Sequence, residues 1–227
     1  MTAANTKAEA GPRLLKRQQG FVDEIFQIIR ADILSLCIPP DSRISIDSLA
    51  RELGVSQTPI REALSMLEGV GLVAKERFVG YCSAPQLNRQ QFDELYEARL
   101  LMEPFAARQA AERMSDAEIK ALSDLAKGME PGDSQTSYHR FADQDSHLHD
   151  LIALGGGNRI IQDSLARLHT HLHIFRLRFH PEATKEAHVE HTAIMRALQK
   201  RKPKEAEAAM RTHIQKSYDR LVKFTTD

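Results

Sequence analysis

"SLARELGVSQTPIREALSMLEGVGLVA", Ser48 to Ala74, is the stretch whose reading decides the fold. It holds two short apolar-periodic segments with a glycine between them. A helix at about 46–53 turns Leu49, Ala50 and Leu53 inward, and Gly54 stands where a helix end favours a residue that tolerates positive φ. Ser56 and Thr58 each suit a helix N-cap, and Pro59 suits a first turn. Ile60, Ala63, Leu64 and Leu67 then form a buried stripe that Gly69 or Gly71 ends. Two helices joined by so tight a turn have the helix-turn-helix layout.

Working outward, residues 20–36, "GFVDEIFQIIRADILSL", place Phe21, Ile25, Ile28, Ile29, Ile33 and Leu36 at helical spacing. Pro39 and Pro40 break that helix, and Asp41-Ser42 favour a turn. Downstream, "LVAKERFVGYCSAP" carries two β-prone pieces, 72–74 and 78–83, around a charged link, which predicts a small hairpin or wing. Pro85 closes the unit, so residues 20–85 read as a winged helix-turn-helix. Residues 1–19 have no apolar core and no signal-peptide layout; they read as a flexible lead-in.

From Asn88 the pattern is helical almost to the end. Segments 88–113, 116–129, 135–154, 158–180, 183–200 and 203–223 are separated by "MSD", "GMEPGDS", "GGGN", "HPEA" and "KRKP". Asp116 with Glu118, and Pro203 in a first turn, are ordinary start signals, and Asn158 reads as a cap. The expected fold is mainly α: an N-terminal winged helix-turn-helix with a small β wing, then an all-α bundle of about six helices over 88–227.

Bulk properties bound the function loosely. No apolar run approaches the roughly 18–20 residues that span a bilayer, so no membrane partner is expected. Cys37 and Cys82 lie far apart with no CxxC partner, which argues against a disulfide framework or a zinc–thiolate site and suits a reducing, cytoplasmic setting. The 31 Lys plus Arg balance 31 Asp plus Glu, and residues 1–85 are balanced as well, so charge alone gives no signature of nucleic-acid binding. All ten histidines lie from His139 onward, which marks two halves with different work.

In the N-terminal half the second helix would enter the major groove by its first turn, bringing Ser56, Gln57, Thr58 and Arg61 to DNA. Gln57 has the donor–acceptor pair for adenine, and Arg61 suits guanine or a phosphate. Ser56 and Thr58 suit phosphate contacts if they are not spent as caps. Arg77 and Gly80 on the wing would approach the adjacent minor groove or backbone. The alternative is a helical hairpin that never meets DNA, with Arg61 paired to Glu62 or Glu68.

In the C-terminal half, "FADQDSHLHDLIALGGGN" sets Asp145 and His149 four apart on one helix face, bringing a carboxylate and an imidazole toward one point. Further ligands would have to come from other helices. His191 neighbours Ile194, Met195 and Leu198, and His213 neighbours Met210 and Ile214, so both are expected to face inward. His188, His169, His171, His173 and His180 are further candidates. One Asp with three His suits a divalent zinc, nickel, manganese or iron ion. The competing account is surface histidines, or buried ones bonded to carboxylates without a metal.

The string "LGVS-x-TP-x-REAL…L-x-x-x-GLV" resembles the DNA-binding domain of the GntR family of bacterial transcription regulators, densely over 48–74 and loosely back to about Phe21. Residues 88–223 look like the FCD-type ligand-binding domain of the FadR subfamily, on "ELYEARLLMEPFAARQAAE", "FADQDSHLHDLIALGGGN" and "EHTAIMRALQKRKPKEAEAAMRTHI". The resemblance implies a homodimer on double-stranded operator DNA that responds to a small carboxylic-acid effector. It implies a metal held by Asp145, His149, His191 and His213, with Arg99 facing the same cavity to pair with a ligand carboxylate. Otherwise Arg99 would pair with Glu97 or Glu103. His147, His169, His171 and His173 match no ligand position and are expected to face solvent. Two arginines common in the family's DNA-reading surface fall here at Gln57 and Asp47, which suggests a different operator; Arg61 is kept. The rival classes are a metal-dependent enzyme using metal-bound water, and a regulator whose metal is purely structural.

Overall fold

The computed structural model describes residues 13–132, 134–168 and 181–225. Helix α1 (Arg13–Leu34) is followed by strand β1 (Arg43–Ile44), α2 (Ile46–Glu52), α3 (Gln57–Gly69), β2 (Val73–Glu76) and β3 (Gly80–Ser83). Then come α4 (Arg89–Arg113), α5 (Asp116–Lys127), α6 (Gln135–Gly155), α7 (Arg159–Arg167), α8 (Pro181–Gln199) and α9 (Pro203–Leu221). The six expected segments of the second half thus match six helices, except that 169–180 of the expected 158–180 helix, with His169, His171, His173 and His180, lies outside the described residues. None of the described helices is long and apolar enough to cross a membrane.

The N-terminal unit closes around one small core. Ile25, Ile29 and Ile33 from α1, Leu49 and Ala50 from α2, and Ile60, Ala63, Leu64 and Leu67 from α3 meet Val73 and Tyr81 of the sheet. Fully burying each of the Ile, Leu and Val side chains contributes about 1.5–3 kcal/mol. The stripe on α1 is narrower than the sequence suggests: Val22 is buried, whereas Phe21, Ile28 and Leu36 are partly exposed. Phe21 and Ile28 are seven apart and flank the Ile25–Ile29–Ile33 line, and Leu36 lies beyond the helix end. The helix also starts earlier than residue 20, at Arg13; residues 1–12 of the expected lead-in lie outside the described residues.

Ser45 caps α2 by accepting from Ser48 N–H, and Gly54 takes φ +67° as its place after a helix demands. Ser56 holds the N-cap position of α3 without a side-chain hydrogen bond, while Thr58 and Pro59 lie inside the first turn. The antiparallel sheet runs β1-β3-β2, so the hairpin gains a third strand that two residues are too few to betray by periodicity. Glu76 pairs with Gly80, which leaves Arg77, Phe78 and Val79 as the wing tip rather than the start of a strand.

Capping organises the bundle. Asn88 with Gln91 and Ser115 with Glu118 form reciprocal capping boxes, Asn158 accepts from Ile161 N–H, and Pro203 opens α9. Helix α4 packs along α9 and α6, and α8 packs on α9 and α5. Phe92, Tyr96, Phe141, Leu148, Ile152, Ile194, Leu198, Met210 and Ile214 fill the space between them. Arg30 of α1 reaches the bundle through a two-pronged ion pair with Asp143 of α6, its Nη1 lying 3.1 Å from Oδ2.

Leu64 and Met66 stand on the same helix with opposite environments, buried and exposed. Leu64→Ala should lower the unfolding free energy by about 2–5 kcal/mol. Met66→Ala should change it by no more than about 0.5 kcal/mol. Urea unfolding of the two variants measures the difference.

Candidate metal centre and nucleic-acid interface

At the centre of the bundle, α6 supplies Asp145 and His149, α8 supplies His191 and α9 supplies His213. All four are buried, and each offers one ligand atom within 4.8 Å of the others. The three imidazole centroids lie 4.7–5.7 Å apart, and His191 Nε2 is 3.1 Å from Asp145 Oδ1. The i, i+4 pair therefore does converge with two histidines distant in sequence. His147 is exposed as expected, and His188 does not join the cluster.

Two carboxylates orient the rings. Glu103 Oε2 lies 2.5 Å from His149 Nδ1, and Glu190 Oε2 lies 2.8 Å from His213 Nδ1. Nδ1–H donated to each carboxylate leaves Nε2 of the same ring as a bare lone pair, the tautomer a metal ligand needs. Burial lowers the His213 pKa to about 3 against the pull of Glu190, which keeps the ring neutral. Burial alone would push Glu190 up, yet hydrogen bonds from His213 and Arg220 lower it to about 2. Burial likewise opposes ionisation of Glu103, and Arg99 with His149 overcomes it, holding this carboxyl well below its ordinary range.

Arg99 is 1% exposed and donates Nε–H to Glu103 Oε1 at 2.6 Å. The expected alternative of an ion pair with Glu103 is thus present, but it is buried rather than superficial, and it does not use the two Nη groups. The guanidinium still lines a cavity with Tyr138, Phe141, Asp145, Thr184, His213, Ser217 and Arg220. Sequence reasoning missed Glu190 and Arg220. Glu190 is the residue before His191, yet nothing local says that it reaches His213 on the next helix; Arg220 donates to the same Glu190 through both Nη groups, at 2.7 and 3.0 Å.

The donor set fits a divalent ion. Nδ1 of the buried His191 has no hydrogen-bond partner among the described residues, and its Nε2 faces Asp145 Oδ1 at 3.1 Å without hydrogen-bonding geometry, a costly arrangement for a polar group without a ligand. One carboxylate and three imidazoles, two of them oriented by carboxylates, suit zinc, nickel, manganese or iron.

On the N-terminal unit, Ser56, Gln57, Thr58 and Arg61 are exposed together on the first turns of α3, and Arg77 is exposed on the wing. Arg61 forms no ion pair with Glu62 or Glu68 among the described residues; its Nη2 donates to Gln57 Oε1 at 3.1 Å. Gln57 Nε2 in turn donates to Asp47 Oδ1 at 2.5 Å. Asp47 and Gln57 are therefore joined to each other, and Gln57 to Arg61. Gly80 stands at φ +107° where β3 leaves the tip.

The chain is similar to known proteins along most of its length. The model of the "Bacterial regulatory proteins, gntR family" matches residues 21–81, and the "FCD domain" model matches residues 94–216. The chain is 30% identical over 190 residues to the Nta operon transcriptional regulator of Aminobacter aminovorans, covering 81% of this chain and 86% of that one. It is 29% identical over 124 residues to the gluconate operon transcriptional repressor of Bacillus licheniformis, covering 55% and 50%. The solved structure of E. coli McbR/YncC superposes with a TM-score of 0.66 at 19% identity, over 89% of this chain and 97% of that one, and so shares the fold. The relatives are transcription regulators, which removes the enzyme reading. A DNA-binding winged helix followed by an FCD domain places this chain in the GntR family of bacterial transcription regulators.

Proposed function

We propose that this regulator is a repressor of a bacterial catabolic operon whose hold on DNA is released by a small carboxylic acid. The effector binds in the α4–α6–α8–α9 cavity, at a divalent metal, most suitably zinc, held by Asp145, His149, His191 and His213. The observation that carries this reading is the convergence of four buried ligand atoms beside a cavity that Arg99 also lines. A bound metal would supply a Lewis-acidic site for one carboxylate oxygen. Arg99 supplies N–H donors to the same anion, held in place by Glu103.

A homodimer sets two α3 helices on a pseudo-palindromic operator, half-sites one helical turn or a multiple apart. Exposed apolar side chains on neighbouring helices, Leu101 and Phe105 of α4 and Ile160 of α7, support such pairing. Ser56, Gln57, Thr58 and Arg61 face the major groove, with Arg77 and Gly80 at the flank. Because Gln57 already gives both ends of its amide to Asp47 and Arg61, its role is to aim the Arg61 guanidinium as much as to read adenine. Helix α6 carries both ligands, Asp145 and His149, and the ion pair to Arg30 of α1, so a shift of α6 on effector binding reaches the DNA-binding unit. For such a switch the effector must prefer one arrangement, by about 1–3 kcal/mol on the usual scale of coupling.

The two sites separate by mutation. Arg61→Ala should abolish selective operator binding in a gel-shift assay and leave the metal content by elemental analysis unchanged. His191→Ala should do the reverse, losing metal and keeping operator binding. If Arg61→Ala lost metal instead, the assignment of residues to sites would be wrong. Small carboxylic acids at about 100 times Kd should stabilise the metal-loaded protein by about 2.7 kcal/mol and leave metal-stripped protein unchanged. Thermal melts checking a panel of such acids that shift neither form would leave the metal a structural role only.

A further inference from the structure

We propose that Phe78, at the tip of the β2–β3 wing, is a DNA-contacting residue that enters the minor groove as an apolar wedge beside the site read by α3. Its side chain is 93% exposed, the highest value among the large exposed hydrophobic residues. Its backbone stands at φ +67°, in the left-handed region that a bulky L-residue adopts only under strain. Hairpin loops place glycine or asparagine at such positions at no steric penalty. The tip thus bears two costs at once, hydration of an aromatic ring and a strained backbone, and neither is offset by packing against the N-terminal core. Leu36, Asp41 and Arg201 also have positive φ, but Phe78 joins that strain to the most exposed ring, a combination that points to a contact with a partner.

The chemistry around the ring selects the partner. The Arg77 guanidinium lies 4.8 Å from the Phe78 ring centroid, and Lys75 lies over Tyr81 on the same hairpin. A guanidinium against the protruding ring, with a second cation on the same hairpin, suits a phosphate-bordered groove into which an apolar side chain inserts. Reach agrees. Strand β2 has four residues, about 13 Å of extended chain, and follows closely on the end of α3. The major groove that α3 would occupy is about 12 Å wide, so a wing of this length is comparable with the span to the minor groove alongside. The inference rests on DNA binding by this unit and adds a residue that reads groove shape without base-specific hydrogen bonds.

The test uses full-length protein and duplexes that the wild type selects from a random pool. Failure of the wild type to select any sequence would be a failure of the operator reading and not of this one. With a selected duplex in hand, Phe78→Gly should weaken binding roughly ten- to hundredfold, the scale of losing one aromatic contact to a base. Phe78→Tyr should restore it. The thermal midpoint of Phe78→Gly should be unchanged or higher, because glycine relieves the strained φ, whereas a structural role would lower it. The slope of log affinity against log salt should stay the same in Phe78→Gly and fall by about one in Arg77→Ala. Replacing flanking adenines by 2,6-diaminopurine adds an amino group in the minor groove alone; it should weaken the wild type and leave Phe78→Gly indifferent. Wild-type affinity in Phe78→Gly overturns the proposal. So does a weakened variant that keeps its sensitivity to diaminopurine, or one whose main change is in oligomeric mass, which would assign the ring to a protein contact.

Discussion

Glu103 is the group on which the centre of the bundle turns. It accepts from Arg99 one turn earlier on α4 and from His149 on α6, all three nearly sealed from water. Removing two such charges from water costs several kcal/mol per ion, which only close pairing and full hydrogen bonding can offset. Arg99 and His149 meet that demand together, so α4 and α6 must keep their mutual register. Glu190 repeats the arrangement on the other side, held by Arg220 and giving its other interaction to His213. Two carboxylates, each with an arginine behind and an imidazole in front, fix the tautomers and directions of two rings whose ligand atoms lie within 4.8 Å of those of Asp145 and His191.

That arrangement makes the site a preorganised one. The rings are aimed by packed helices rather than by loops, and their orientation is fixed before anything binds. Its location also bears on the proposed switch. Helix α6 presents Asp145 and His149 inward and Asp143 outward, and Asp143 holds Arg30 of the DNA-binding unit. One rigid element therefore touches both the chemistry and the neighbouring unit, the kind of contiguous link through which a binding event can bias a second site.

Much of this was legible in the residues. The helix boundaries followed from start signals and breakers such as Asp116 with Glu118, Asn158 and Pro203, which act on the nearest backbone groups and need no tertiary context. The buried stripes of α2 and α3 followed from spacing. The pairing of Asp145 with His149 followed from the helical repeat. What misled was also local. The α1 stripe looked wider than it is because an apolar Phe21 or Ile28 beside the stripe counts the same as one within it. The wing looked like strand through Phe78, since an aromatic has high β-propensity, yet the register of Glu76 with Gly80 makes it the turn.

By itself the sequence determined the fold class, the order of the elements and the kinds of side chain available at each position, because periodicity, capping and turn chemistry are short-range. The motif resemblance added which histidines to watch. Only the tertiary structure decided that ligand atoms from α6, α8 and α9 lie within 4.8 Å of one another. It also decided that Arg99 is buried against Glu103, that Glu190 serves a histidine on the next helix, and that Asp47, Gln57 and Arg61 form one hydrogen-bonded row. The reason is common to all of them: distances between helices are set by how whole faces pack, and no window of neighbouring residues carries that information.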